Sequence, residues 1–140
     1  MFKLRILTIG KTKEAWLDQA IGEYVKRLKP AASFDWVLAK DDEQLVQLVQ
    51  KEPSYICLDP QGKQMPSEEF SHFLMETLVK EKSRLTFVIG GAEGLPLSLK
   101  KDRQTISLSL MTFTHQLTRL VLCEQIYRAF EIAKGSQYHK

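Results

Sequence analysis

An aromatic ring, an imidazole and an ammonium group follow one another in the C-terminal residues Tyr138, His139 and Lys140. Such a trio could stack on a nucleobase, transfer a proton and contact a phosphate. The alternative is an ordinary frayed chain end, because terminal residues are often poorly ordered. On these residues alone both interpretations stay open.

A second chemical feature is the glycine-rich run that contains Gly90, Gly91 and Gly94. Its GGxxG spacing differs from the dinucleotide-binding fingerprint, and no Gly-Lys-Ser/Thr follows, so the run is not a P-loop either. We interpret it as a backbone surface that a ligand can approach closely. A turn that requires positive φ is the alternative.

A third feature is the stretch 108–116, which carries no charged side chain and mixes hydroxyl with apolar groups. Its backbone groups could bind a neutral heterocycle while its apolar side chains enclose it. It could equally be a plain connection that ends in a helix cap by Thr112 or Thr114.

The cysteines and histidines point to no further chemistry. Cys57 and Cys123 lie within apolar patterns without basic neighbours, so we expect two buried core residues and neither a disulfide framework nor a reactive thiolate. No pair of histidines has the helical spacing of a metal site, and we therefore expect no metal.

Alternating strands and helices must position these groups. The predicted strands cover 2–9, 33–39, 55–58, 85–89 and 105–109. The predicted helices cover 16–28, 45–49, 70–78 and 115–134, with a short helix after Pro96. Asp41 or Asp42 and Ser67 are the expected helix caps, and 59–62 resembles a turn. The alternation predicts one compact α/β domain over residues 1–140 with a largely parallel sheet.

Ligands of such sheets bind outside the carboxyl ends of the strands. That rule selects three loops, at residues 59–63, 90–94 and 108–115. Two of them are the glycine-rich run and the uncharged stretch.

The last predicted helix is apolar around most of its circumference, unlike the first, which has one apolar stripe. A helix of this kind is buried on two sides. In so small a domain the second side is best covered by another copy of the chain, and we therefore predict a homodimer with this helix in the interface.

The formal net charge of +3 is unevenly distributed. Residues 1–29 and 98–140 each carry seven Lys/Arg against three Asp/Glu, while 30–97 is acidic. If the two basic blocks meet, they form a surface suited to a phosphate backbone. The alternative is that the helices simply carry mixed, solvated charge.

Composition favours a soluble, cytoplasmic protein. The fractions of 44% hydrophobic and 26% charged residues are ordinary for globular domains and exclude disordered and low-complexity classes. Lys3 and Arg5 interrupt any signal-peptide core, and the longest uncharged window, 104–118, is too short to span a membrane. We expect no membrane association.

Several runs in the chain closely resemble the large-subunit ribosomal RNA methyltransferase H family. They are FVIGGAEGL at 87–95, LS and MTFTHQ within 108–116, EQIYRA at 124–129 and YHK at 138–140, together with IGK at 9–11, EYVKRL at 23–28 and LDPQGK at 58–63. The resemblance spans the chain. Thr114 stands where the family usually has proline.

The resemblance implies a SPOUT-class α/β fold whose C-terminal part forms a trefoil knot around an S-adenosylmethionine pocket. It implies methylation of N3 of a pseudouridine in 23S rRNA, within the assembled 70S ribosome, by a homodimer. The implied cofactor contacts are Leu58, Gly90, Leu108, Ser109, Leu110, Met111, Thr112 and Phe113.

For catalysis, His139 is our candidate for proton transfer, with Tyr138 positioning the base and Lys140 or Arg128 countering negative charge. The second subunit would supply RNA contacts from its basic N-terminal residues, which are Lys3, Arg5, Lys11 and Lys13. The principal alternative is a noncatalytic RNA- or ribosome-binding module with a vestigial pocket. A flavodoxin-like redox protein ranks third, because no phosphate loop follows the first strand.

Overall fold

In a computed structural model, which describes residues 1–100 and 104–140, five parallel strands form one sheet in the order β2-β1-β4-β3-β5. The strands are β1 (Phe2–Ile9), β2 (Ala32–Ala39), β3 (Tyr55–Gln64), β4 (Arg84–Ile89) and β5 (Thr105–Ser107). The helices are α1 (Ala15–Leu28), α2 (Asp42–Gln50), α3 (Ser67–Lys80), α4 (Leu97–Lys100) and α5 (His115–Ala133). The predicted α/β class and parallel sheet are confirmed. Lys101, Asp102 and Arg103, part of the second basic block, lie outside the described residues.

Helices cover the two faces of the sheet unequally. Leu4 and Ile6 of β1 point to a core formed with α1, α3 and α5. Leu7 points to the other face, where α2 and α4 supply the packing residues. Because α2 has nine residues and α4 has four, this second layer is small.

The amino-terminal half of that second face carries polar residues. Side chains alternate between faces along a strand, so Lys3 and Arg5 share the face of Leu7. Both are exposed, whereas Leu7 is buried beneath the helices. The helix layer therefore covers the carboxyl half of this face and leaves the amino half open.

Two strand predictions were wrong at their ends. β3 continues through residues 59–64, where we expected a turn, because Lys63 and Gln64 pair with β5 after a register shift that begins at Leu58. A Cβ at Gly62 would lie 2.7 Å from the backbone of Thr105, so glycine permits this close approach of the strands. β5 ends at Ser107, two residues earlier than predicted.

At two of the three helices with predicted caps, the predicted side chain caps the helix. The side chain of Asp41 accepts from the backbone N–H of Gln44, and that of Thr114 accepts from Leu117, as predicted. The prediction for Ser67 was wrong. Pro66 occupies the cap position, and the Ser67 hydroxyl instead donates to Gln125 on α5 at 2.7 Å.

α5 lies against α1, α3 and the sheet. Its buried residues form one stripe, consisting of Arg119, Leu122, Cys123, Ile126, Ala129 and Phe130. Outside this stripe Leu117 is exposed, and Leu120, Val121 and Ile132 are only partly buried. One chain therefore covers one side of the helix and leaves much of its remaining apolar surface accessible.

Candidate cofactor cavity and C-terminal cluster

A cavity of about 560 Å³ opens at the carboxyl ends of β4 and β5, beside the register shift in the middle of β3. Residues from all three predicted strand-end loops line it. They are Leu58, Asp59, Pro60, Ile89, Gly90, Gly91, Ala92, Gly94, Leu95, Leu108, Ser109, Met111, Thr112, Phe113, Thr114, His115, Gln116 and Thr118. Seven of the eight residues expected to contact the cofactor are thus brought together. Leu110 does not line the cavity, and its side chain is 75% exposed.

Two glycines of the cavity, Gly90 and Gly94, are required by the backbone of their own loop. A Cβ at Gly90 would lie 2.4 Å from the carbonyl carbon of Gly94, because the loop folds back on itself. Gly94 has φ +85° and donates its N–H to the Gly91 carbonyl at 3.0 Å. The positive-φ turn is therefore present, and the tight fold-back leaves backbone along the cavity wall.

A short hydrogen-bonded turn shapes the opposite wall. The Ser107 hydroxyl donates to the Ser109 carbonyl at 2.8 Å, and the Met111 N–H donates to the Ser109 hydroxyl at 3.0 Å. The Thr114 cap then fixes the start of α5. The stretch is both a capped connection and a cavity wall, so the two alternatives considered for it are compatible.

His115 contributes an imidazole to the cavity. Its burial, followed by the positive charges of Arg119 and Lys13, lowers its pKa below the ordinary value of 6.5. The neighbouring Gln116 accepts from the Lys13 N–H at 3.0 Å and donates to the Lys11 carbonyl at 3.2 Å. The first turn of α5 therefore holds the basic segment after β1 beside the cavity.

Arg119 is a fully buried arginine without a carboxylate partner among the described residues. Its guanidinium donates to the carbonyls of Ile9 and Gly10, both at 2.8 Å, and to the Thr12 hydroxyl at 3.1 Å. Burial lowers its pKa. The Ile9 side chain lies 3.2 Å from where a Cβ of Gly91 would be, so Arg119 supports the cavity wall through Ile9.

The C-terminal tail folds back onto α5, which is incompatible with a frayed end. Glu124 is its anchor, because one of its carboxylate oxygens accepts from both the Tyr138 hydroxyl and Arg128 Nη2, each at 2.8 Å. The Tyr138 ring packs edge-on against Tyr127 at 4.7 Å and lies under the Arg128 guanidinium at 4.9 Å. Burial, followed by the hydrogen bond to Glu124, raises the pKa of Tyr138.

His139 is held on both sides of its ring. Arg128 Nη1 lies 3.0 Å from Nδ1, and Glu68 Oε2 lies 3.3 Å from Nε2. Because a guanidinium only donates, Nδ1 accepts, and the ring proton resides on Nε2, where it faces Glu68. The pKa of Glu68 is lowered first by a hydrogen bond from its own backbone N–H and then by His139. Lys140 is exposed.

Tyr138, His139, Arg128, Glu124 and Glu68 form a cluster at the C-terminal tail, here called the tail cluster. Within one chain it is separate from the cavity. No residue of the cluster lines the cavity. His115 begins α5, whereas Arg128 lies thirteen residues further along the helix, which corresponds to about 20 Å. Tyr138, His139 and Arg128 thus meet one another but do not reach the cavity wall of their own chain.

Three acidic residues of these sites, Glu124, Glu68 and Asp59, were not singled out from the sequence. Glu124 lies four residues before Arg128, and this i,i+4 spacing could have identified the ion pair. Glu68 gave no signal, because its contact with His139 joins distant parts of the chain. Asp59, the carboxylate in the cavity wall, is paired with Lys100 at 3.7 Å.

Among the described residues, no helix is long and apolar enough to cross a membrane, and no group of three or more His, Cys, Asp or Glu side chains is arranged to hold a metal ion. Cys57 and Cys123 are buried as expected, and burial raises their thiol pKa values to about 11 and about 12.

Comparison with known proteins identifies close relatives. The family model described as "Predicted SPOUT methyltransferase" matches residues 2–139. Ribosomal RNA large subunit methyltransferase H from Protochlamydia amoebophila (strain UWE25) is 59% identical over 140 residues, with 100% of both chains covered. The protein of the same name from Streptococcus mutans is 40% identical over 158 residues, with 99% of each covered.

Solved structures share the fold at lower sequence identity. A probable methylase family protein from Haemophilus influenzae Rd KW20 superposes with a TM-score of 0.56 at 16% identity, covering 98% of this chain and 70% of that one. TrmJ from Z. mobilis ZM4 gives 0.53 at 8% identity, with 92% and 70% covered.

Proposed function

Because the chain belongs to the ribosomal RNA large subunit methyltransferase H family of SPOUT methyltransferases, we propose that it methylates N3 of a pseudouridine in the 23S rRNA of assembled 70S ribosomes. The methyl donor would be S-adenosylmethionine. The observation that carries the proposal is the cavity at the strand ends, in a chain that matches the Protochlamydia relative over its whole length.

The cavity suits such a cofactor in size and chemistry. Its volume lies within the usual range for small-molecule sites, roughly 300–1,000 Å³. Apolar side chains such as Leu58, Leu108 and Phe113 can enclose an adenine, while hydroxyl groups and exposed backbone offer hydrogen bonds. No Lys or Arg among the described residues lines the cavity. A sulfonium cation would therefore meet no like charge from those residues as long as His115 is neutral.

The sulfonium supplies an activated methyl group, so the protein must mainly hold the donor and the acceptor in line. The folded-back glycine loop and the capped stretch before α5 are two stiff walls for that purpose. The implied trefoil knot would fix their relative positions and belongs to this proposal.

The tail cluster provides groups for the acceptor proton. A pseudouridine N3 must lose its proton for transfer to proceed, and His139 is the proposed acceptor. Its one unprotonated nitrogen, Nδ1, faces Arg128. We infer that the carbonyl oxygens beside N3 of the bound, neutral base draw the guanidinium away from Nδ1. The freed Nδ1 then takes the N3 proton as N3 accepts the methyl group, and Arg128 lies against the negative charge that develops on the base.

A homodimer would unite the two parts of the site. The cavity and the tail cluster of one chain are about 20 Å apart along α5, and α5 retains accessible apolar residues such as Leu117.

The proposed RNA contacts also fall into two groups. Lys11 and Lys13 flank the cavity, whereas Lys3 and Arg5 lie at the opposite end of β1.

The proposal can be tested with 70S ribosomes from cells that lack the protein. We expect the purified protein and methyl-labelled S-adenosylmethionine to produce N3-methylpseudouridine in 23S rRNA, detected by mass spectrometry of nuclease digests. An unchanged methylpseudouridine signal would overturn it. Calorimetry separates the noncatalytic alternative, because a module with a vestigial pocket would not bind millimolar S-adenosylmethionine.

A further inference from the structure

The open half of the second sheet face forms a groove of about 620 Å³ at the amino-terminal ends of β1, β2 and β4. Parallel sheets are normally covered on both faces, so an uncovered half is unusual. Six cationic and three acidic side chains line it, and no aromatic side chain of the described residues does. The groove is at the opposite end of the strands from the cavity.

Two cations occupy neighbouring positions at the centre of the groove. Lys3 of β1 is in register with Arg84 of β4 on one side and with Ser33 of β2 on the other. Both cations are exposed, and neither has an ion-pair partner in the described part of the chain. Like charges directly across neighbouring strands are destabilising, so a bound anion would relieve a repulsion built into the sheet.

The next row of the same face is different, because its one cation is paired with two carboxylates. Arg5 donates to Asp35 at 2.9 Å and to Glu52 at 2.8 Å. Glu52 also accepts from the Thr86 hydroxyl at 2.5 Å. Two of the three acidic residues are therefore engaged with Arg5, which leaves Glu81 as the remaining acid of the groove.

Further cations stand on the rim. Lys51, Lys80 and Lys82 are exposed and line the groove. The turn that carries Lys82 is held in a left-handed conformation, with φ of 58° at Lys82 and 69° at Ser83, and the Lys3 N–H donates to the Ser83 carbonyl at 2.8 Å. The turn thus places its lysine beside the Lys3–Arg84 pair.

We propose that this groove binds the sugar–phosphate backbone of an rRNA segment distinct from the one presented to the cavity. The inference rests on the proposed function, which makes rRNA the partner. Neighbouring strands are about 4.8 Å apart, so Lys3 and Arg84 can share one phosphate or contact adjacent ones. Because none of the described residues that line the groove is aromatic, the contacts would fix the position of the RNA without reading its sequence.

The placement suits a folded ribosome better than a short RNA. β1 has eight residues, so the groove and the cavity are separated by about 25 Å. A protein with these two surfaces would bind two RNA segments at once. The second contact adds affinity, because the first contact raises the effective concentration of the second RNA segment.

The substitution Arg84→Glu tests the proposal, because it converts the like-charge pair into an ion pair. We expect the thermal unfolding temperature to hold or rise, ribosome binding to weaken roughly tenfold at low salt, and the slope of log affinity against log salt to fall by about one. Calorimetry should give an unchanged affinity for S-adenosylmethionine. Arg84→Lys should retain ribosome binding.

Lys40→Glu is the matched control, since Lys40 is exposed, lies outside the groove and undergoes the same charge change. Two results would overturn the groove proposal alone, provided that the unchanged protein binds and methylates ribosomes. One is an equal loss of ribosome binding in Lys40→Glu, and the other is no loss of ribosome binding in Arg84→Glu. Failure of the unchanged protein to bind ribosomes would overturn the proposed function as well. Inorganic phosphate seen by NMR at the groove, without any effect of Arg84→Glu on ribosomes, would assign the site to a small phosphorylated molecule instead.

Discussion

His115 and His139 stand near opposite ends of α5 and face different charges. His115 has two cationic neighbours, Arg119 and Lys13, and its pKa is lowered. His139 lies between Arg128 and Glu68. Burial and these two charges therefore favour the neutral form of the first imidazole, whereas the second is positioned by hydrogen bonds to both ring nitrogens. Only the second has the setting expected of a proton-transferring group.

His115 should make stability depend on pH. Because its pKa in the folded protein lies below 6.5, the unfolded chain takes up a proton at a higher pH than the folded chain does. The contribution of the neutral form is complete above 6.5 and is lost as the pH falls through the folded pKa. We expect the free energy of unfolding, measured with urea, to decrease over that window.

In His115→Gln this decrease should become smaller, while His72→Gln, a change at an exposed position of α3, should leave it intact. Affinity for S-adenosylmethionine should fall over the same window, since an imidazolium in the cavity wall would repel a sulfonium. An identical pH profile for both variants would contradict the assignment.

At the scale of elements, the connection between β1 and α1 depends on α5. Arg119 and Gln116 together hold four backbone groups and one hydroxyl of residues 9–13. The guanidinium is buried without a carboxylate partner among the described residues, so only the dipoles of two carbonyls and one hydroxyl compensate its charge. Such an arrangement is costly to break, because several acceptors would lose their donor together.

We expect Arg119→Met to lower the free energy of unfolding by roughly 2–4 kcal/mol and to weaken cofactor binding, because Ile9 would no longer be fixed against Gly91. Arg128→Met on the same helix is the control. It removes the pair with Glu124 and the contacts to His139 and the Tyr138 ring, and it should cost less than Arg119→Met, about 1–2 kcal/mol. Urea titrations of both variants give the measurement. A more stable Arg119→Met would show that desolvation of the guanidinium outweighs its hydrogen bonds.

Element prediction succeeded where the signal was local. Thr114 and Asp41 cap their helices through contacts three residues away, and the sheet rule located the cavity from strand ends alone. Prediction of the elements failed where strand pairing joined distant parts of the chain. β3 passes through Pro60 and Gly62 because β5, far along the chain, pairs with its second half. The contact of Glu68 with His139 was equally inaccessible, since it requires knowing that α3 packs beside α5.

For the molecule as a whole, the functional groups occupy three places. The cavity is at the carboxyl edge of the sheet, the tail cluster lies along α5, and the basic groove is at the amino edge. A single chain leaves the first two apart. The basic residues near the N-terminus thus lie at opposite ends of the fold, because Lys3 is near the start of β1 and Lys11 follows the end of that strand.

Complementation between two inactive variants should reveal the composite site. Thr112→Trp would fill the cavity, and His139→Ala would remove the proposed proton acceptor, so we expect each variant alone to be inactive in methyl transfer. If cavity and tail come from different chains, random mixing should restore about a quarter of the unmodified activity, because half of the dimers would contain one intact site of two.

Gly90→Ala provides a second cavity variant, with circular dichroism to verify folding. Differential tagging can demonstrate that the mixtures contain heterodimers. If such mixtures recover no activity, each chain uses its own tail. A monomer in analytical ultracentrifugation would overturn the dimer itself.

The burial of α5 between α1 and α3 also has a consequence for biosynthesis. The apolar faces of the two earlier helices, including Leu17 and Leu74, are covered by a helix translated much later. Folding cannot therefore proceed stepwise behind the translating ribosome, and the nascent chain must keep these surfaces exposed until α5 emerges. Contacts of such long sequence separation form slowly, and we expect newly made chains to depend on chaperones during that interval.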